Sequence, residues 1–141
     1  MSASTSKTTL GAICALCVAV SGYVFSERSK TNLSEVNPKL QAVATCALQH
    51  TPVDFVVIDG GRTPEEHKNN LANGKSWIKR SKHQDGLAID VAAYVNGKIT
   101  YDPLPYYDIA KAFKFCSVQL DTPITWGGDW RFKDLMHFEL R

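Results

Sequence analysis

The sequence predicts an α+β fold, a small antiparallel sheet flanked by helices and preceded by an N-terminal apolar helix. Three observations predict it. Val53–Ile58 and Leu87–Val95 are short apolar runs rich in β-branched residues, as buried strands are. Asn96-Gly97 is a two-residue hairpin turn leading into a further strand over Lys98–Tyr101. Apolar residues recur at helical spacing in two separate stretches, 38–50 and 109–116.

The elements follow in order. Thr8 to Ser26 is free of charge, with Lys7 before it and Glu27, Arg28 and Lys30 after it. Nineteen such residues are just enough to span a bilayer. The run is rich in Gly, Ala and Ser, so a cleaved signal peptide with Ala19-x-Ser21 before the cut is a second reading. An uncleaved signal-anchor is the preferred one. Residues 1–30 are therefore assigned to the anchor and its flanks, and 31–141 to one folded domain. Residues 27–36 are polar and read as a linker.

Asn37-Pro38 caps a helix, because proline is favoured at the first helical position. Leu40, Val43, Ala44, Ala47 and Leu48 carry that helix to about His50. After the first strand, Asp59-Gly-Gly61 is a turn and Thr63-Pro64-Glu65-Glu66 a capping box. The helix it opens ends near Asn73-Gly74. Residues 76–85 read as an irregular loop. Pro103 and Pro105 interrupt the chain, and Ile109, Ala112, Phe113 and Cys116 mark one face of a later helix. Ile124–Trp126 and Met136–Leu140 read as two final short strands.

The chain of 141 residues has 44% hydrophobic content, enough for one ordinary core. Its formal charge is +2, and residues 31–141 hold 13 basic and 13 acidic residues. That balance gives no ground for a nucleic-acid partner, and a monomer is expected. Lys75, Lys79, Arg80 and Lys82 cluster, either as a solvated loop or as a lure for an anionic substrate. Cys14-x-x-Cys17 lies inside the apolar run, which argues against a redox or zinc pair. Cys46 and Cys116 are either a disulfide of an exported domain or two buried thiols.

The chemistry concentrates in two places. His83 precedes a strand, and Asp90 lies on it among apolar residues. Gly86 between them allows a sharp turn. Alternation puts Ala88, Asp90 and Ala92 on one face and Leu87, Ile89 and Val91 on the other. A carboxylate in such a strand requires a partner, and a metal supplies one. The second place is Asp134-x-x-His137-x-Glu139. His83, Asp90 and His137 make three protein ligands with one position open, the arrangement of a catalytic zinc. Asp134 can reach that open position as a proton acceptor. Glu139 is either a partner of a ligand histidine or a surface charge. Arg62 either stabilises an oxyanion or pairs with Glu65 or Glu66. Trp126 and Trp130 either wall a cleft or fill the core.

Ser81-x-His83-x-x-Gly86-x-Ala88-x-Asp90 resembles the first zinc motif of the D-Ala-D-Ala carboxypeptidases and dipeptidases, and of the related phage L-alanyl-D-glutamate endopeptidases. The resemblance runs from about Asn37 to the end of the chain. It includes Gly61-Arg62-Thr63-Pro64-Glu65-Glu66, Trp126-Gly-Gly-Asp129-Trp130 and Asp134-x-x-His137-Phe138. Asp134 three residues before the last histidine resembles the phage branch; Glu stands there in the other. His67 and Met136 depart from the family's usual glutamine and proline. The resemblance implies zinc on His83, Asp90 and His137, Asp134 as general base and acid, and Arg62 as a stabiliser of the substrate carbonyl. It places Ser81, Trp126 and Asp129 against substrate. It implies a peptidoglycan-degrading endolysin acting on the stem peptide, anchored in the host inner membrane and active in the periplasm. A D,D-carboxypeptidase, or a zinc-fold binding domain like that of the hedgehog proteins, are the alternatives.

Overall fold

The computed structural model describes residues 20–61, 64–74 and 82–141, with the backbone alone at 64–67. Its elements are α1 (Glu27–Ser34), α2 (Pro38–His50), β1 (Asp54–Asp59), α3 (Pro64–Ala72), β2 (Ala88–Val95), β3 (Lys98–Thr100), α4 (Pro103–Gln119), β4 (Ile124–Trp126), a 3-10 turn over Gly127–Asp129 and β5 (His137–Leu140). The α+β expectation holds. The sheet runs β1-β2-β5-β4, with β3 pairing the far end of β2, and all its pairings are antiparallel.

The helix starts follow from local chemistry. Asn37 accepts the Lys39 amide at 2.9 Å, and Pro38 sits where no backbone N–H is needed. Pro103 and Pro105 do not break the chain as expected; they open α4, whose first turn needs no amide donors. Asn96 and Gly97 both take positive φ and close the β2–β3 hairpin as the sequence predicts.

Residues 27–36 are not the expected linker. Ser26 caps α1 by accepting the Ser29 amide, and Ser29 and Leu33 are buried. The Ser29 hydroxyl accepts the Val57 amide at 3.0 Å, and Asn32 donates to the Val57 carbonyl at 2.8 Å. A helix held by side-chain hydrogen bonds to a strand carries almost no apolar pattern, which is why it reads as a linker. The folded unit also reaches further back. The Ser21 amide donates to the Gln49 carbonyl at 2.7 Å, and the Phe25 ring meets Phe55 edge-on at 5.9 Å. Residues 20–26 form neither helix nor strand, so they are not part of an apolar helix. Residues 1–19, which hold most of the expected anchor, lie outside the described residues. Among the described residues no helix is long and apolar enough to cross a membrane.

The sheet has two unlike faces. Phe55, Val57, Ile89, Val91, Phe138 and Ile124 point to one side and are buried with α2 and α4. There Phe138 stacks on Phe113 of α4 at 3.8 Å. Alternation sends Asp90, His137 and Glu139 to the other side. On the helical side a disulfide joins Cys46 of α2 to Cys116 of α4, which decides between the two readings of these cysteines.

Candidate functional site

The register of β2 against β5 assembles the site. Asp90 lies directly opposite His137 in the ladder, so two side chains 47 residues apart in sequence meet on one face. His83 comes from the turn 82–86 that leads into β2. Gly86 closes that turn with φ +68, and its amide donates to the His83 carbonyl at 3.1 Å. A side chain there would strain the backbone and meet the Glu35 carbonyl at 2.9 Å. The sharp turn read from the sequence is therefore present.

His83 Nε2 lies 3.4 Å from Asp90 Oδ1, and His137 Nδ1 lies 3.1 Å from the same oxygen. One donor atom from each of the three residues falls within 4.8 Å of the others. Ligands held tetrahedrally at 2.0–2.2 Å from one ion stand roughly 3.3–3.5 Å apart. Two imidazoles and one carboxylate at this spacing fit a divalent metal of the zinc type. His83 Nδ1 is 3.0 Å from the Gly60 carbonyl, an acceptor only, so that nitrogen carries the proton. Its Nε2 is thereby turned toward Asp90.

Burial disfavours the Asp90 carboxylate, but hydrogen bonds from His137 and His83 and their charges outweigh it and hold Asp90 well below the usual carboxylate range. Burial disfavours protonated His137 as well. Hydrogen bonds to Asp90 and Glu139 win there and raise its pKa above the ordinary 6.5. Asp134 behaves oppositely: burial and the neighbouring Asp90 charge raise its pKa above 3.8. A carboxylate so raised is a stronger proton acceptor. Asp134 is fixed by backbone contacts. Its amide donates to the Gly127 carbonyl at 2.9 Å, and a Cβ on Gly127 would stand 2.4 Å from the Asp134 carbonyl oxygen.

The structure brings together His83, Asp90 and His137, with the Asp134 carboxyl close enough to be shifted by their charges. It does not bring Trp126 or Asp129 to them. Trp126 stands beside Phe138 on the helical face, buried, and donates its indole N–H to the Leu135 carbonyl at 2.8 Å. Asp129 pairs with Lys114 of α4 at 2.8 Å. Both residues share a motif with Trp130, and it is Trp130 that reaches the cluster, its ring 5.1 Å from that of His137. Pairing register separates them, since Trp126 is the cross-strand partner of Phe138 rather than of His137, and register is not read from either strand alone. The Gly60 carbonyl has no signal in the sequence. Arg62, Ser81 and the 75–80 part of the basic cluster lie outside the described residues, as does the His67 side chain.

A model of the phage L-alanyl-D-glutamate peptidase family matches residues 21–140. The chain belongs to that family. It is 37% identical over 123 residues to the L-alanyl-D-glutamate peptidase of Escherichia phage T5, covering 84% of this chain and 90% of that protein. Its fold superposes on the crystal structure of the Serratia marcescens L-Ala D-Glu endopeptidase ChiX with a TM-score of 0.78. There the identity is 34%, over 83% of this chain and 89% of the other. The protein is thus a peptidase, and the family match begins at the residue where the chain first docks on α2.

Proposed function

We propose that this protein is a zinc endopeptidase that hydrolyses the L-Ala–D-Glu bond of the peptidoglycan stem peptide, as a monomeric endolysin for lysis of a bacterial host. The observation that carries the reading is the His83–Asp90–His137 cluster with Asp134 beside it, in a chain of this peptidase family. A zinc ion held by these three residues would polarise the scissile carbonyl and acidify water. Asp134 accepts the proton of the attacking water and returns it to the leaving amine. Arg62 is assigned to the charge on the substrate carbonyl and Ser81 to the substrate backbone. The exposed edge of Trp130 walls the cleft on the His137 side.

The apolar run Thr8–Ser26 is proposed to hold the chain in the host inner membrane with the peptidase domain in the periplasm. The Cys46–Cys116 disulfide supports an oxidising compartment for that domain.

The test uses the full chain, purified Gram-negative peptidoglycan and a chelator control, with new amino termini identified by mass spectrometry. Chelator-sensitive appearance of D-Glu amino termini is expected. Release of free D-Ala instead would make the protein a carboxypeptidase. No cleavage by folded, zinc-loaded protein would overturn the enzymatic assignment of this site.

A further inference from the structure

His137 differs from His83 in how its ring is held. His83 turns Nε2 to the cluster, whereas His137 turns Nδ1 to it and leaves Nε2 pointing away. That outer nitrogen lies 2.8 Å from Glu139 Oε2. Glu139 is itself held: Lys82 Nζ stands 3.1 Å from its Oε1 and also donates to the Leu140 carbonyl at 2.7 Å. Lys82 thus has two fixed partners at the end of β5. It is the neighbour of His83 in sequence, and Glu139 is two residues beyond His137. The pair braces the turn that carries one ligand against the strand that carries the other.

Charge makes the same point. A divalent ion among Asp90, Asp134 and Glu139 would face three carboxylates. Lys82 supplies the remaining positive charge, so Glu139 acts on His137 without competing for the ion. A neutral imidazole has one N–H and one lone pair, and the hydrogen bond at one nitrogen decides which atom is the ligand.

We propose that Glu139, braced by Lys82, is the positioning residue that fixes the His137 tautomer, so that His137 ligates the metal through Nδ1 and the His83–His137 spacing is set before the ion arrives. The inference rests on the zinc reading of the site. Its consequence is that metal affinity depends on a carboxylate that never touches the metal. Lys82 acts only through Glu139 and the end of β5.

The experiment uses the full chain with chelator-competition titration of zinc, together with 15N-histidine NMR to identify the metallated nitrogen of His137. Glu139→Leu is expected to weaken zinc binding about 10–100-fold. The single Nδ1-ligated state of His137 should be lost with it. Lys82→Met should weaken binding in the same direction, and Lys82→Met/Glu139→Leu should lose less than the product of the two single losses. Glu139→Gln retains an acceptor and should retain Nδ1 ligation, which keeps the test available if the leucine variant does not fold. A folded Glu139→Leu protein with wild-type affinity and unchanged ligation overturns the proposal. So does loss of Nδ1 ligation in Glu139→Gln, or fully multiplicative losses in the double variant. Wild-type protein that binds no zinc would instead remove the zinc reading itself.

Discussion

Cutting the Cys46–Cys116 disulfide should cost stability and leave the candidate metal site intact. The bridge spans 70 residues of sequence and joins α2 to α4. Closing a loop of that length removes chain entropy from the unfolded state, worth about 4 kcal/mol at 25 °C. A domain of this size has a total stability on the order of 5–15 kcal/mol, so the loss is a large fraction. At roughly 3–5 °C per kcal/mol, the expected fall in Tm is on the order of 10–20 °C. The site should not follow, because both cysteines lie on the helical side of the sheet and the ligands lie on the opposite face. The assay is thermal unfolding of the full chain, comparing wild type, wild type with reductant, and Cys46→Ser/Cys116→Ser, with zinc affinity measured well below each Tm. A double variant melting within about 2 °C of the oxidised wild type would refute the loop-closure argument. A parallel fall in zinc affinity at low temperature would refute the independence of the two faces.

Four further outcomes follow from the site. Asp134→Asn should keep zinc and lose about 10²–10⁴-fold in turnover, because on the proposed mechanism it removes a general base and no ligand; unchanged kcat removes Asp134 from the chemistry. Gly127→Ala should lower activity with zinc still bound, since the new Cβ would stand 2.4 Å from the Asp134 carbonyl oxygen and must displace it; zinc titration beside activity checks this. The metal-free protein should be most stabilised by its ligand cluster between about pH 4 and pH 6.5. Asp90, with its pKa depressed from 3.8, contributes above that value and loses its contribution as pH falls through the folded pKa. His137, with its pKa raised from 6.5, contributes below that value and loses its contribution as pH rises through the folded pKa. Zinc requires His137 without its Nδ1 proton, so the gain in Tm on adding zinc should widen from pH 5.5 to 8; a gain that shrinks over that range contradicts the assignment.

Much of the site was legible because strand alternation is a strict rule. One aspartate among apolar strand residues, flanked by alanines, had to face away from Ile89 and Val91. The same rule, applied to β4 against β5, would have removed Trp126 from the cleft. It could not be applied, because the register comes from pairing and not from either strand alone. The helix α1 was hidden for a different reason. Its attachment runs through Ser29 and Asn32 to the backbone of Val57, and such bonds leave no periodic pattern in the sequence. The Gly60 carbonyl that fixes His83 is invisible on the same ground, since any residue offers a carbonyl. The disulfide needed the packing of α2 on α4 before its two members could be paired.

The docking of residues 21–26 sets a condition on any membrane anchor. Thr8–Ser26, fully helical, spans about 28 Å, close to the ~30 Å hydrocarbon core. The folded domain uses the end of that same run. Ser21 bonds to the carbonyls of Gln49 and Leu48, Tyr23 donates to the Pro52 carbonyl, and Phe25 packs on Phe55. With these residues docked, only 8–20 remain, about 20 Å of helix. On the proposed anchor, a chain that spans the membrane through 8–26 would have to give up these contacts. The contacts lead directly into α1, whose Ser29 and Asn32 hold Val57 three residues before the Gly60 carbonyl that orients His83. An anchor over 8–26, as proposed above, would therefore compete with folding for residues 21–26, which lead through α1 and β1 to the carbonyl that orients His83.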